Sequence, residues 1–125
     1  MLEGHDVGAT LPVSNFETAR KFYEDSLGFT AAMDTDGAVV YTSGNSRFLV
    51  YQSEYAGTNK ATAATWAVGG TFDAVLDDLR GNGIVFERYD DLPGATRDGD
   101  VHTMGDMRGV WFKDPDGNIL SVIDQ

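Results

Sequence analysis

The sequence predicts an α+β domain built from paired βαβββ modules, with the helices covering the outer face of the strands. Three observations predict it: a strand, helix, three-strand order that occurs twice, a short amphipathic helix in each half, and glycine-containing turns between short strands. Residues 1–125 form one domain, with module 1 at about 7–52 and module 2 at about 61–125.

Gly8 to Val13 reads as the first strand, with Leu11 and Val13 on one face and Thr10 and Pro12 on the other. Pro12 donates no backbone hydrogen bond, which places it at a sheet edge or a bulge. Ser14 as N-cap and Glu17 three residues on form a capping box, and Phe16, Ala19, Phe22, Tyr23 and Leu27 follow at helical spacing. Gly28 closes that helix. Phe29–Asp34, Ala38–Thr42 and Ser46–Gln52, separated by Gly-containing turns, make an antiparallel meander. The polar stretch Ser53–Lys60 connects the halves. Ala61–Val68 is then a strand, and Thr71–Arg80 a helix whose Phe72, Val75, Leu76 and Leu79 share a face. Ile84–Tyr89 reads as the next strand and Asp90–Met107 as a long Gly- and Asp-rich loop. Arg108–Lys113 and Asn118–Asp124 are the last strands, joined by the turn Asp114-Pro115-Asp116-Gly117.

Composition narrows the function. Hydrophobic residues make up 42% of the chain and charged residues 23%, a globular balance, with no apolar run near the roughly 20 residues of a membrane span. With no basic-then-apolar leader at Met1–Asp6, a cytoplasmic location is expected. There is no cysteine, so disulfides, thiolate chemistry and cysteine-ligated metals are excluded. The net charge of -11 repels a phosphate backbone and argues against nucleic acid as a partner. It fits a solvated surface, or steering of a cationic ligand.

Two blocks, Val13-Ser14-Asn15-Phe16-Glu17-Thr18-Ala19-Arg20-Lys21-Phe22-Tyr23-Glu24-Asp25-Ser26-Leu27-Gly28-Phe29 and Trp111-Phe112-Lys113-Asp114-Pro115-Asp116-Gly117-Asn118-Ile119-Leu120, resemble the vicinal oxygen chelate superfamily of glyoxalases, bleomycin resistance proteins and dioxygenases. The resemblance implies a curved eight-stranded sheet wrapped around a small-molecule cavity, with the helices on its outer face, and a homodimer. It also implies four metal-ligating positions on cavity-facing strands. Aligned on the helix start and on Asn118, these fall at Gly8, Leu49, Ala63 and Ser121. Gly, Leu and Ala offer no donor atom and a neutral Ser hydroxyl is a poor one. No metal or other cofactor is therefore expected.

Alternation and the aromatic content place the ligand pocket at Thr10, Arg47, Leu49, Tyr51, Ala63, Thr65, His102, Trp111 and Ser121. His102 is the candidate lid residue and a weak candidate catalytic group, whereas His5 belongs to a solvated tail. Arg47 and Arg108 are candidates to neutralise an acidic ligand, against the plainer reading of surface ion pairs. The expected function is metal-independent binding or sequestration of an aromatic or cationic small molecule. The alternatives are a lyase or isomerase with His102, Glu54 or Asp100 as acid or base, and a ligand sensor.

Overall fold

In the computed structural model, which describes residues 1–125, the first half contains β1 (Thr10–Val13), α1 (Phe16–Lys21), β2 (Thr30–Thr35), β3 (Ala38–Ser43) and β4 (Ser46–Gln52). The second contains β5 (Thr62–Ala67), α2 (Phe72–Gly81), β6 (Ala95–Asp98), β7 (Val101–Met104), β8 (Met107–Lys113) and β9 (Ile119–Ile123). The strands form two mixed sheets, ordered β1-β4-β3-β2 and β5-β9-β8-β7-β6. In each, only the first pair is parallel. This corrects the expectation of one eight-stranded sheet: β1 and β5 are both edges with no ladder between them. No helix is long and apolar enough to cross a membrane.

Alternation does the work that the sequence predicts. Leu11, Val13, Val50, Leu120 and Val122 are buried on the helix-facing side, where Tyr23, Tyr41, Phe48, Phe72, Leu76 and Phe112 join them in one core drawn from both halves. Trp66 completes that core from the edge, stacking on Phe29 and donating from its indole to Ser43 Oγ at 3.0 Å.

α1 begins one residue later than the capping box implies. Asn15 Oδ1 accepts the Thr18 N–H at 2.9 Å, and Glu17 pairs with Lys21 instead of reaching back. After Lys21 the helix widens into one π-helical turn, Phe22–Ser26, closed by Leu27 N–H to Phe22 O, and Gly28 at φ +81° lets the chain leave.

The second half departs further from expectation. Ile84 and Phe86 are buried, yet residues 84–89 form no ladder; their backbone is tied to the sheet by Glu87 N–H to Trp111 O at 2.7 Å and Tyr89 N–H to His102 Nε2 at 3.0 Å. The place beside β8 is taken by β7, whose register runs Met104↔Met107, Thr103↔Arg108 and His102↔Gly109. What reads as the loop Asp90–Met107 thus holds the hairpin β6–β7. Its turns are made by Gly99 at φ +61° and Gly105 at φ +60°, a region that glycine alone enters at little cost.

The Asp114–Asn118 turn staples the halves. Asp114 accepts from Tyr23 Oη at 2.9 Å, Asn118 Nδ2 at 2.7 Å, the Asn118 N–H at 2.8 Å and the Asp116 N–H at 3.0 Å. Asn118 Nδ2 also donates to Pro12 O at 2.8 Å, and Asp116 Oδ1 accepts the Ser14 N–H at 3.0 Å. Burial pushes the Asp114 carboxyl up while these donors pull it down, and burial together with the Asp114 charge raises the Tyr23 hydroxyl.

Candidate functional site

The helix-free faces of the two sheets carry most of the residues expected in the pocket, in two groups. On the first sheet Thr10 lies opposite Leu49, Pro12 opposite Tyr51, Val40 opposite Leu49 and Thr42 opposite Arg47. Thr10, Arg47, Leu49 and Tyr51 therefore share one face, and none of them is buried. On the second sheet Thr65 and Trp111 both lie opposite Ser121, which is 2% exposed. A small hollow of about 180 Å³ at the junction, touched by Arg47, Phe48, Thr65 and Trp66, brings the two groups together at one end.

Ala63 does not fit strict alternation. The β5–β9 register jumps from Thr62↔Ile119 to Ala64↔Leu120, a bulge that leaves Ala63 without a partner and packed against the core. Thr62 takes the cavity-side place beside Trp111, whose indole N–H reaches Thr62 Oγ1 at 3.1 Å.

Trp111 lies in an open hollow of about 400 Å³, lined by Lys60, Ala61, Thr62, Tyr89, Leu92, Trp111 and Ile119. Of these, only Trp111 belonged to the expected pocket. Lys60, Tyr89 and Leu92 lie on connecting segments where no strand period marks a face; the signal available was the pair of aromatics Tyr89 and Trp111 flanking a Gly-rich segment. Burial raises the Tyr89 hydroxyl, with the Glu87 charge adding to the effect.

His102 is not a lid. It sits inside β7, fully buried, with its ring edge-on to Trp111 at 4.9 Å and 84° and 5.7 Å from Tyr89. Its Nε2 accepts the Tyr89 backbone N–H at 3.0 Å. The other acid or base candidates lie elsewhere. Asp100 bridges Arg80 and Arg88, whose hydrogen bonds outweigh the upward push of burial and hold its carboxyl low; Glu54 is exposed on the connecting segment. Arg108 is tied to Asp124 and Asp73, so the ion-pair reading holds for it. Arg47 and Lys60 are the basic side chains with no carboxylate partner.

The donor set does not fit a metal. Beyond the missing donors at Gly8, Leu49, Ala63 and Ser121, a Cβ built on Gly8 would stand 2.8 Å from Arg47 O, closer than real Cβ atoms come, so that position has no room for any side chain without a backbone shift. Nowhere do three or more His, Asp or Glu side chains gather in a way that could hold a metal ion.

The family profile described as Glyoxalase/Bleomycin resistance protein/Dioxygenase superfamily matches residues 7–122. Among solved structures, the chain is similar to a bleomycin-binding protein complexed with bleomycin, at 17% identity and TM-score 0.73 over 97% of this chain and 98% of that one. It is also similar to the fosfomycin resistance protein FosX from Mesorhizobium loti, at 12% identity and TM-score 0.69 over 100% and 94%. A virulence protein from Salmonella typhimurium aligns at 22% identity and TM-score 0.66 over 98% of each chain. Identities this low show a shared fold alone. No curated protein sequence matches the chain.

Proposed function

Because this chain belongs to the glyoxalase/bleomycin resistance protein/dioxygenase superfamily, and because its donor set cannot hold that superfamily's metal, we propose that it binds an intact, flat small molecule against Trp111 and releases it unchanged. The observation that carries this reading is the hollow between Trp111, Tyr89 and Leu92, an apolar wall with a polar rim at Thr62 and Lys60 and no carboxylate among its lining residues. The bleomycin-binding relative makes sequestration of an antibiotic or metabolite the leading form of the proposal. A cytoplasmic homodimer belongs to the same proposal; the apolar face of the first sheet, where Val40, Leu49 and Tyr51 are half-buried and Met33 is 55% exposed, supports the dimer.

The test is calorimetric titration with metal-free bleomycin and a panel of flat aromatic cations and anions, followed by mass analysis of the recovered ligand. Saturable binding of one ligand per chain with the ligand returned intact is the expected result. Chemical conversion of the ligand, or binding that is indifferent to Trp111→Ala, overturns the proposal.

A further inference from the structure

His102 Nδ1 is the sole buried side-chain nitrogen or oxygen in the protein without a hydrogen-bond partner. A histidine whose Nε2 accepts a backbone N–H must keep that nitrogen bare, so the neutral ring carries its proton on Nδ1. The other tautomer would set an Nε2–H against the Tyr89 N–H, leaving two donors face to face. The tautomer is thus dictated by Tyr89, and the orphaned Nδ1–H is its cost.

The bond sits where the chain needs one. Residues 84–92 form no ladder, yet they bring Tyr89 and Leu92 to the wall of the hollow. Around Tyr89, side-chain ties hold the segment from outside: Arg88 to Asp100 at 3.0 Å, Lys113 to Glu87 at 3.9 Å and Asp90 to Arg97 at 2.6 Å. From the sheet side two backbone N–H groups tie it, Glu87 to Trp111 O and Tyr89 to His102, and the second is made by a wall residue itself.

We propose that His102 is a positioning residue: its neutral imidazole latches the Tyr89 backbone to β7 and so fixes the wall against which Trp111 receives a ligand. The role of the wall rests on the reading of the hollow as the ligand site; the latch does not. An imidazolium has two donors and no acceptor, so a second proton on the ring removes the bond and loosens the wall. The charged groups that face the ring are few. From β6, the cross-strand partner Arg97 turns its guanidinium to Asp90 and Gly99 O; from the wall segment come Tyr89 and Asp90; the nearest residues of β8, Gly109 and Trp111, carry no charge.

The experiment needs no ligand. Imidazole nitrogen NMR at about pH 8, where a histidine is neutral, reads the tautomer of His102, with the exposed His5 as the internal reference; amide exchange reads the protection of Tyr89. The latch predicts the Nδ1–H tautomer and a slowly exchanging Tyr89 amide. It further predicts that the Tyr89 protection factor, with the intrinsic slowing of amide exchange in acid divided out, falls about tenfold on acidification and equally in His102→Leu. His102→Gln, whose Oε1 can accept the same N–H, should keep the protection and lose the acid response. An Nε2–H tautomer, unchanged Tyr89 protection in His102→Leu, or an acid response that survives in His102→Gln would each overturn the proposal. Should His102→Leu fail to fold, the tautomer and the Gln variant still decide it. An intact latch in a protein that binds no flat ligand would sink the binding reading and leave this one standing.

Discussion

The two helix-free faces are built on the same strand plan, a parallel edge pair followed by an antiparallel meander, and yet they present opposite surfaces. The first, centred on Leu49 and Tyr51, is left open by its own module. The second, centred on Trp111, is walled by the excursion that carries Tyr89 and Leu92 and then returns as β6 and β7. In the first half the chain passes from helix to meander through Leu27, Gly28 and Phe29 alone; in the second it travels from Asn82 to Gly94 before β6 begins. The scaffold is therefore common to both halves, and the distinction between an open face and a walled hollow resides in one connection.

That contrast can be broken at its hinge. Asp114→Ala leaves the Tyr23 hydroxyl, the Asn118 side chain and two backbone N–H groups without their acceptor, and it should lower stability by about 3 kcal/mol, measured by urea unfolding. Because the staple is shared, both halves should unfold in one transition; separate transitions would show the halves to be independent.

Gly8→Ala tests the open face. A Cβ 2.8 Å from Arg47 O forces β1 and β4 apart, for a loss of about 1–3 kcal/mol in the same assay. Gly8→His with Ser121→Glu should create no tight zinc site, and calorimetry showing strong Zn²⁺ binding by that variant would refute the donor argument.

Trp111→Ala should weaken binding of a flat ligand about tenfold or more, while Tyr51→Ala on the open face should weaken it less. Equal effects would mean that the ligand spans both faces, as a dimer-built cavity requires.

Acid gives the smallest effect. Hydrogen bonds from Arg20 hold Glu24 in the first half below the ordinary carboxylate range, and the Arg88 and Arg80 bonds do so for Asp100 in the second. A carboxyl lowered on folding stabilises the protein above its unfolded value, and that contribution disappears as pH falls through the lowered folded value. Melting temperature should thus decline below about pH 4, and Asp100→Asn should remove part of that decline at a cost of less than about 1 kcal/mol near neutrality.

Much of this fold was legible because short periods carry it. Leu11 and Val13, or Leu120 and Val122, alternate visibly, and Asp114-Pro115-Asp116-Gly117-Asn118 announces its turn. Residues 84–107 misled for a physical reason. Ile84-Val85-Phe86 is apolar enough for a strand, but its ladder position had been taken by β7, a competition that only the tertiary register decides. The site suffered from the same limit. Trp111 was found from its alternation with Phe112, whereas Tyr89 and Lys60 reach the hollow from segments without a period. At Ala63 a single bulge exchanged its place with that of Thr62.

The staple also has a consequence for synthesis. A growing chain exposes its first half early, and N-terminal units ordinarily fold as they emerge. Here the Ser14 N–H, Pro12 O and the Tyr23 hydroxyl find their partners only at Asp116, Asn118 and Asp114, which lie 102, 106 and 91 residues further along the chain. The first module emerges with its helix entrance unfinished, and it stays so until the Asp114–Asn118 turn has been made.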